Sequence, residues 1–261
     1  MRIVLQTQNP VAIASPDHIM PWGTRRDSSR NPRFVQKLAR LNLSQGELLK
    51  VLDLGCSGGG FVRDAIDEGW LGVGLEGSDF SQKHRRAEWA TIPDNLFTCD
   101  VTKPFTLFEE WPEGIRKGLQ FDIITSWELI EHIAEPDLPE LANNVRQHLS
   151  SSGVWLMSVS PNEEVINGVA LHQTVRKRDW WISKFRSLGF IHHDSLIRYF
   201  NTQFIRGPKF GAPGSFHLAL LATGKSAPIT PKLSVKARIL DAWHGSKMQR
   251  LLQMVILGKT L

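Results

Sequence analysis

The stretch VLDLGCSGGG, residues 51–60, gives the strongest indication of the fold. An apolar run typical of a buried strand contains Asp53 as its third residue and breaks into glycines after Leu54. In open α/β sheets, ligands bind beyond the carboxyl ends of the strands, and glycine lets the backbone approach a ligand closely. The stretch therefore predicts a ligand-binding turn that begins at Gly55.

Short apolar runs alternate with segments of helical periodicity on the C-terminal side of this turn. In the segment DLPELANNVRQHL, the apolar residues recur every three or four positions and form one stripe of a helix. We expect a further helix-like segment over residues 107–117, strands over 190–196 and 216–223, and a long Gly- and Pro-rich loop between those two strands. The alternation predicts a doubly wound α/β fold, in which helices cover both faces of a parallel sheet.

The glycine turn lacks the features of a phosphate-binding loop. No lysine follows the glycines, and Ser57 stands where a dinucleotide fingerprint needs its second glycine. The carboxylate of Asp53 would repel a phosphate but would suit a ligand that carries positive charge. S-adenosylmethionine fits this description, because it carries an ammonium, a sulfonium and no phosphate.

Acidic residues also end the next two predicted strands. Glu76 ends the run LGVGLE, 21 residues after Gly55, where a carboxylate can accept hydrogen bonds from both ribose hydroxyls. Asp100 ends the run LFTCD, where its side chain could accept from an adenine amino group while Val101 packs on the ring. Each acid alone could be a solvated strand end, but three successive acidic strand ends favour a binding site.

Four stretches together resemble the motifs of the class I S-adenosylmethionine-dependent methyltransferases: VLDLGCSGGG, GLEGSD, CDVT and FDIITSWELIEHI. The resemblance implies a seven-stranded sheet whose last strand, here residues 216–224, runs antiparallel. It also implies that Gly55 and Cys56 face the methionine moiety and that Ser126 and Trp127 lie on the far side of the cofactor. The full set of predicted cofactor-binding residues is Asp53, Gly55, Cys56, Gly58, Glu76, Asp100, Val101, Ser126 and Trp127.

Histidines are the candidate general bases, because a hydroxyl acceptor gains from a base with a pKa near neutrality. His132 follows the fourth strand, and His172 lies in the connection after the fifth. His132 could equally be a structural histidine and His172 a surface residue. Glu131 is the candidate partner of either histidine, and no spacing of ligands predicts a metal site.

The segment before the domain is a surface arm or a lid over the acceptor. It resembles, together with residues 171–190, part of bacterial methyltransferases that act on polysaccharides and sugar-containing natural products. We therefore expect oxygen methylation of a saccharide or sugar-containing small molecule; a lipid or quinone acceptor is the alternative. The candidate acceptor-binding residues are His18, Trp22, Arg25 and Arg26.

The net charge of +5 lies in the C-terminal tail, which carries six basic residues and only Asp241 as an acid. This distribution argues against a nucleic-acid groove in the main domain. The near-helical spacing of apolar residues over 236–257, which Gly245 could interrupt, favours packing on the domain, a homodimer contact or peripheral membrane contact. We expect an arm over residues 1–45, the cofactor domain over 46–225 and the tail over 226–261.

Two general features complete the sequence-based expectations. Cys56 and Cys99 are the only cysteines and are expected to be buried thiols. No apolar stretch resembles a signal peptide or a membrane span, so we expect a cytoplasmic protein. The rival functions are a nicotinamide-dependent oxidoreductase and a non-catalytic cofactor-binding protein.

Overall fold

A computed structural model describes residues 2–41, 43–44 and 46–257. The strands are β1 (Arg2–Thr7), β2 (Lys50–Leu54), β3 (Leu71–Glu76), β4 (Leu96–Thr98), β5 (Phe105–Glu110), β6 (Arg116–Gly118), β7 (Phe121–Trp127), β8 (Leu149–Val159), β9 (Val165–Ile166), β10 (Val169–Ala170), β11 (Phe190–His192) and β12 (Phe216–Ala222). The helices are α1 (Pro16–Ile19), α2 (Pro32–Ala39), α3 (Gly60–Asp67), α4 (Phe80–Lys83), α5 (Leu138–His148), α6 (Arg178–Ser187), α7 (Asp194–Phe200), α8 (Val235–Trp243) and α9 (Lys247–Leu257).

Seven strands form the central sheet in the order β11-β12-β8-β7-β2-β3-β4. The five strands β4, β3, β2, β7 and β8 are parallel to one another. β12 is antiparallel to both of its neighbours, β8 and β11. Val51 and Leu52 point to opposite faces of β2, and both are buried, as expected of a parallel strand covered on two sides. The predicted doubly wound sheet with an antiparallel last strand is confirmed.

The core lies on both faces of this sheet. On one face, Leu141 and Val145 of α5 pack with Ile124 and Trp155 of the strands. On the other face, a second cluster brings Phe34 of α2 together with apolar residues of α3, β2 and β7. These two layers hold the strands rigidly, so their carboxyl ends form a fixed edge for a site.

Two sequence-based expectations about local structure are wrong. Residues 107–117 do not form a helix: they belong to the hairpin of β5 and β6, in which β5 also pairs with β1. The turn of this hairpin has Gly114 at a φ of +78° and a hydrogen bond from its N–H to the Trp111 carbonyl. The spacing of apolar residues in this segment suggested a helix. The pairing of β5 with β1, which lies at the N-terminus, is not visible in the local sequence.

The strand expected over residues 190–196 ends at His192, and α7 begins at Asp194. Leu196 and Phe200 are four residues apart and bury one face of α7 in the second cluster. The tail is helical as expected, and Gly245, at a φ of +72°, separates α8 from α9. Within the part of the chain that the structure describes, no helix is long and apolar enough to cross a membrane.

Candidate active site

A cavity of about 640 Å³ lies at the carboxyl ends of β2, β3 and β7. This volume is within the range of sites for small molecules and cofactors. Ten of the residues singled out in the sequence line it: Trp22, Arg26, Gly55, Glu76, Asp100, Val101, Trp127, Glu131, His132 and His172. The structure therefore brings together the predicted cofactor residues and both candidate bases, whose individual roles stay predictions.

Six other predicted residues lie outside the cavity lining. Asp53 and Ser126 are buried side chains that bind within the protein: Thr125 donates to Asp53 Oδ1 over 2.6 Å, and Trp155 Nε1 donates to Ser126 Oγ over 2.9 Å. Cys56 packs in a small apolar cluster behind the turn. The N–H of Gly58 donates to the Asp27 carbonyl. We therefore assign these four residues positions that support the cavity wall.

The remaining two belong to the N-terminal arm. The Arg25 guanidinium lies over the Phe80 ring, 5.3 Å from its centroid, and its side chain is exposed. His18 is partly buried, but its side chain does not reach the lining. By contrast, Cζ of Arg26 lies 3.4 Å from the centroid of the Trp22 ring, at the cavity edge. Trp22 and Arg26 thus present a combined aromatic and cationic surface to the cavity.

The glycine turn is held by contacts with β3. The N–H groups of Gly55 and Cys56 both donate to the Leu75 carbonyl, at 2.8 and 3.0 Å. Gly55 has a φ of +71°, and a Cβ there would lie 3.0 Å from a methyl group of Leu129. A side chain at position 55 would therefore meet both strain and a close contact.

Glu76 joins the turn, the arm and β3. Its Oε2 accepts from the Ser57 N–H at 2.7 Å, and its Oε1 accepts from the Ser78 N–H at 3.1 Å and from Thr24 Oγ1 at 3.5 Å. Burial raises the pKa of this carboxyl above its usual range. The Oε2 atom has one protein donor and two lone pairs, so it retains capacity for a ligand hydroxyl.

The N-terminal arm closes one side of the cavity. The Asp27 carbonyl accepts from Ser57 Oγ at 3.0 Å and from the Arg86 guanidinium, and the Thr24 carbonyl accepts from Ser81 Oγ at 3.2 Å. These bonds fasten the arm to the glycine turn and to α4. The arm therefore forms one wall of the cavity, and its function as a lid stays a prediction.

The two candidate histidines meet in this cavity. Their rings are edge to face, with centroids 4.6 Å apart. The contact is made possible by Glu131, whose carbonyl accepts from the N–H groups of Gln173 and Thr174 at 2.7 and 2.9 Å. The Glu131 side chain in turn accepts from the Ser160 N–H at 2.6 Å. Glu131 thus ties the connection that carries His172 to the end of β7.

Charges around the two rings give them different protonation states. Burial disfavours a charge on His132, but the carboxylates of Asp17, Glu131 and Glu164 outweigh it and raise the pKa of His132 to about 9. The Asp17 carboxylate lies 2.9 Å from His132 Nδ1. Burial and the neighbouring imidazolium lower the pKa of His172 below its usual range. At neutral pH, His132 is therefore a cation and His172 is neutral.

The tautomer of neutral His172 follows from its hydrogen bond. Its Nδ1 contacts the Asn162 carbonyl, which can only accept, so Nδ1 carries the ring proton. Nε2 is then unprotonated and lies 3.3 Å from Glu164 Oε2. His172 Nε2 is consequently a proton acceptor beside a carboxylate that can stabilise the protonated ring.

Several lining residues have no counterpart among the predicted site residues: Asp17, Thr24, Asp27, Glu128, Glu164 and Arg206. Arg206 Nη2 lies 2.6 Å from Glu128 Oε2, and Arg206 Nη1 lies 3.5 Å from Asp27 Oδ1. Glu128 has a φ of +49°, a conformation that is uncommon outside glycine and recurs at functional sites. Asp17, Thr24, Asp27 and Glu128 each adjoin a predicted site residue in the sequence, whereas Glu164 and Arg206 have no such local signal.

Metal-ligand geometry occurs once among the described residues. Glu131, His132 and His172 each offer one ligand atom, and these atoms lie within 4.8 Å of one another. The sequence spacing predicted no metal ligands, whereas the fold places these three side chains close enough to share one ion.

Comparisons with known proteins agree with this geometry. A family model described as "Methyltransferase domain" matches residues 24–205, well over half of the chain. No curated protein sequence matches the chain significantly. A solved structure of the 1,6-didemethyltoxoflavin-N1-methyltransferase of Burkholderia thailandensis, with 1,6-didemethyltoxoflavin and S-adenosylhomocysteine bound, is 14% identical, covers 79% of this chain and 84% of its own, and has a TM-score of 0.52.

A second solved structure, DhpI in complex with S-adenosylhomocysteine, is 12% identical and covers 84% of this chain and all of its own. Its TM-score of 0.47 is too low to carry an argument. The likeness to the Burkholderia structure shows the fold alone at this identity. The family match is the comparison that bears on activity.

Proposed function

Because the chain belongs to the methyltransferase-domain family and uses S-adenosylmethionine as its cofactor, we propose that it methylates a hydroxyl oxygen of a saccharide or a sugar-containing small molecule. The observation that carries the proposal is the neutral His172, whose Nε2 is a proton acceptor in the cavity next to Glu164. A hydroxyl needs such a base, whereas an amine that is already unprotonated does not. Membership of this family leaves no place for the nicotinamide-dependent alternative.

The residues of the cavity fit the cofactor. Carboxylates outnumber guanidinium and ammonium groups in the lining, as suits a ligand with an ammonium and a sulfonium. Glu76 keeps a free lone pair for a ribose hydroxyl, and Asp100, whose Oδ1 accepts from the Thr102 N–H at 2.9 Å, lies beside Val101 on the adenine side. When bound, S-adenosylmethionine supplies an electrophilic methyl group on a sulfonium.

The protein's own contribution to the reaction is to accept a proton and to orient the acceptor. His172 Nε2 takes the proton of the acceptor hydroxyl as that oxygen becomes a nucleophile, and the Glu164 carboxylate stabilises the imidazolium that forms. The His132 cation keeps the pKa of His172 low, so the base is neutral before the reaction. Closure by the arm excludes water from the reacting groups.

The saccharide assignment rests on the acceptor side of the cavity. Trp22 offers an aromatic surface of the kind on which sugar rings pack. Arg26 and Arg206 offer planar donors, and Asp27 and Glu164 offer acceptors, for the closely spaced hydroxyls of a sugar. A quinol or a lipid would use the aromatic surface but would offer these polar groups fewer hydroxyls than a sugar does.

An acceptor screen tests the proposal. The purified protein is incubated with S-adenosylmethionine labelled in its methyl group and with separate panels of saccharides, amines, and quinols or lipids. Transfer of label to a saccharide oxygen, located by mass spectrometry and NMR, is the expected result. Transfer to an amine or to a quinol alone would contradict the acceptor assignment while leaving the methyltransferase assignment intact.

Binding of the cofactor is measured in parallel by calorimetry with S-adenosylhomocysteine and with NAD. Binding of the first and not the second is expected. Binding of the cofactor without transfer of its methyl group to any compound in the panels would favour the non-catalytic alternative.

A further inference from the structure

The C-terminal helix α9 carries its apolar side chains on the outside. Its exposed residues include Met248, Leu251, Leu252, Met254, Val255 and Ile256. Gln249, by contrast, is partly buried and accepts from the Gly245 N–H through Oε1. A helix that packs on its own domain shows the reverse arrangement, with apolar residues inward. The outward face of α9 therefore requires a partner that excludes water.

Helix α8 also has an exposed apolar face. Val235, Ile239 and Trp243 are four residues apart, lie on one face and are 74, 63 and 40% exposed. Asp241, which is fully buried, forms ion pairs with Arg33 and Lys37 of α2. This buried contact decides which face of α8 points away from the protein.

The exposed charges on the described residues of the two helices are all positive. Between Ser226 and Leu261, Asp241 is the only acid, and it is buried in its ion pairs. Exposed basic residues border the apolar surface: Lys236, Arg238, Lys247 and Arg250. Lys247 and Arg250 share a shallow surface depression with Leu251 and Met254. Lys259, another basic residue of the tail, lies outside the described residues.

We infer that the surface of α8 and α9 binds the interface of a bilayer that contains anionic phospholipids, with both helices in the plane of the membrane. Apolar side chains on one face and basic side chains along its border are complementary to acyl chains beneath negatively charged headgroups. A second copy of this chain fits less well. In a two-fold contact the same basic surface would face itself, and α8 and α9 offer no exposed acid to compensate Lys247 and Arg250.

The test uses the full chain and flotation with vesicles of phosphatidylcholine alone or of phosphatidylcholine mixed with phosphatidylglycerol. Binding to the mixed vesicles is expected, with weaker binding to the neutral ones and release by salt. The double variant Lys247→Gln/Arg250→Gln loses about 25-fold in binding, because each basic residue near an anionic surface contributes about fivefold. The double variant Leu251→Gln/Val255→Gln loses binding to both kinds of vesicle.

Matched controls lie on the hairpin of β5 and β6, where Ile115 and Lys117 are also exposed. Ile115→Gln and Lys117→Gln bind vesicles as the unmodified chain does. Circular dichroism and S-adenosylhomocysteine binding show that every variant is folded. Equal losses in the control variants would overturn the inference.

Two further results would also overturn the inference. One is failure of the unmodified chain to float with the mixed vesicles. The other is a dimer, measured by light scattering, that Leu251→Gln/Val255→Gln dissociates while no vesicle binding occurs; this result would assign the surface to a second copy. Neither result depends on which acceptor is methylated.

Discussion

The rings of His132 and His172 lie edge to face with their centroids 4.6 Å apart, yet at neutral pH only His132 is protonated on both ring nitrogens and carries a positive charge. Asp17 provides the charge that keeps His132 protonated, and the resulting cation keeps its neighbour neutral. The pair therefore places a fixed positive charge beside a neutral ring, which is the arrangement that the proposed base requires.

Replacement of His172 by alanine is expected to lower the turnover number by about 10²- to 10⁴-fold, the usual contribution of a general base. The affinity for S-adenosylhomocysteine should stay the same, because the ring lies on the acceptor side of the cavity. Turnover measured with the acceptor found in the screen, together with calorimetry, checks both statements. His84→Ala, at an exposed histidine outside the cavity, is the matched control.

Removal of divalent metals distinguishes a base from a metal ligand at this position. Treatment with EDTA is expected to leave turnover unchanged, because a neutral imidazole needs no metal to accept a proton. Lost turnover that Mg²⁺ or Zn²⁺ restores would contradict the role of His172 as the base and would assign Glu131, His132 and His172 to a metal site.

The dependence of turnover on pH should reflect the lowered pKa of His172. Since the base form exists above this pKa, turnover rises with pH through a midpoint below about 6.5, the ordinary value for histidine, and is level at neutral pH. In Asp17→Asn, His132 loses its nearest carboxylate, so its pKa falls and less of it is cationic. The weaker cation raises the pKa of His172, and this effect is larger than the opposite, direct effect of the lost Asp17 charge. The acidic limb then moves to higher pH; an unchanged limb would show that the two rings are not coupled.

Replacement of Glu76 by alanine is expected to weaken binding of S-adenosylhomocysteine by about 1 to 3 kcal/mol, the scale of a lost hydrogen bond to a charged group. Glu76 also holds the glycine turn through the Ser57 N–H, so a second ligand separates the two roles. The unmodified chain should bind a 3′-deoxyribose analogue less tightly than the parent ligand. Glu76→Ala should bind the two ligands equally.

Glu113→Ala, at an exposed glutamate in the turn between β5 and β6, is the control for this measurement. Calorimetry gives all the affinities. If Glu76→Ala still distinguished the two ligands as strongly as the unmodified chain does, Glu76 would not bind the ribose.

The ion pair between Asp241 and Lys37 should matter for stability, because Lys37 is only 1% exposed. Asp241→Asn leaves the ammonium buried without its carboxylate, which costs about 3 to 5 kcal/mol of unfolding free energy. Asp67→Asn, at a carboxylate that is 41% exposed, should cost no more than about 1 kcal/mol. Urea unfolding of both variants measures the difference, and equal losses would argue against a buried pair.

The double variant Lys37→Met/Asp241→Leu provides a further check. It removes the buried ammonium together with the carboxylate, so part of the lost stability should return, although Arg33, which is 12% exposed, still loses its partner.

Much of the fold could be predicted because its signals are local. The strands of a parallel sheet are continuous apolar runs, and the glycines after Leu54 mark the end of one such strand. The errors arose where pairing is distant. Residues 107–117 lie in the hairpin of β5 and β6, whose other partner is β1, and nothing in that segment identifies β1 as a partner.

The candidate site was predicted in part for the same reason. Glu76 and Asp100 end strands whose carboxyl ends share one edge of a sheet, so their convergence follows from the fold. The tie between Asp17 and His132, and that between Arg206 and Glu128, join residues that lie far apart in sequence. Local patterns carry no information about such pairs.

The amino-acid sequence by itself thus determined the class of the fold, the edge of the sheet that carries the site and the phosphate-free character of the cofactor, because strand patterns and turn residues act over a few positions. The neutral state of His172, the positive charge of His132 and the outward apolar face of the tail follow only from the tertiary structure. Protonation and exposure depend on which charges and surfaces meet in three dimensions, and those meetings are made by packing of segments that are distant along the chain.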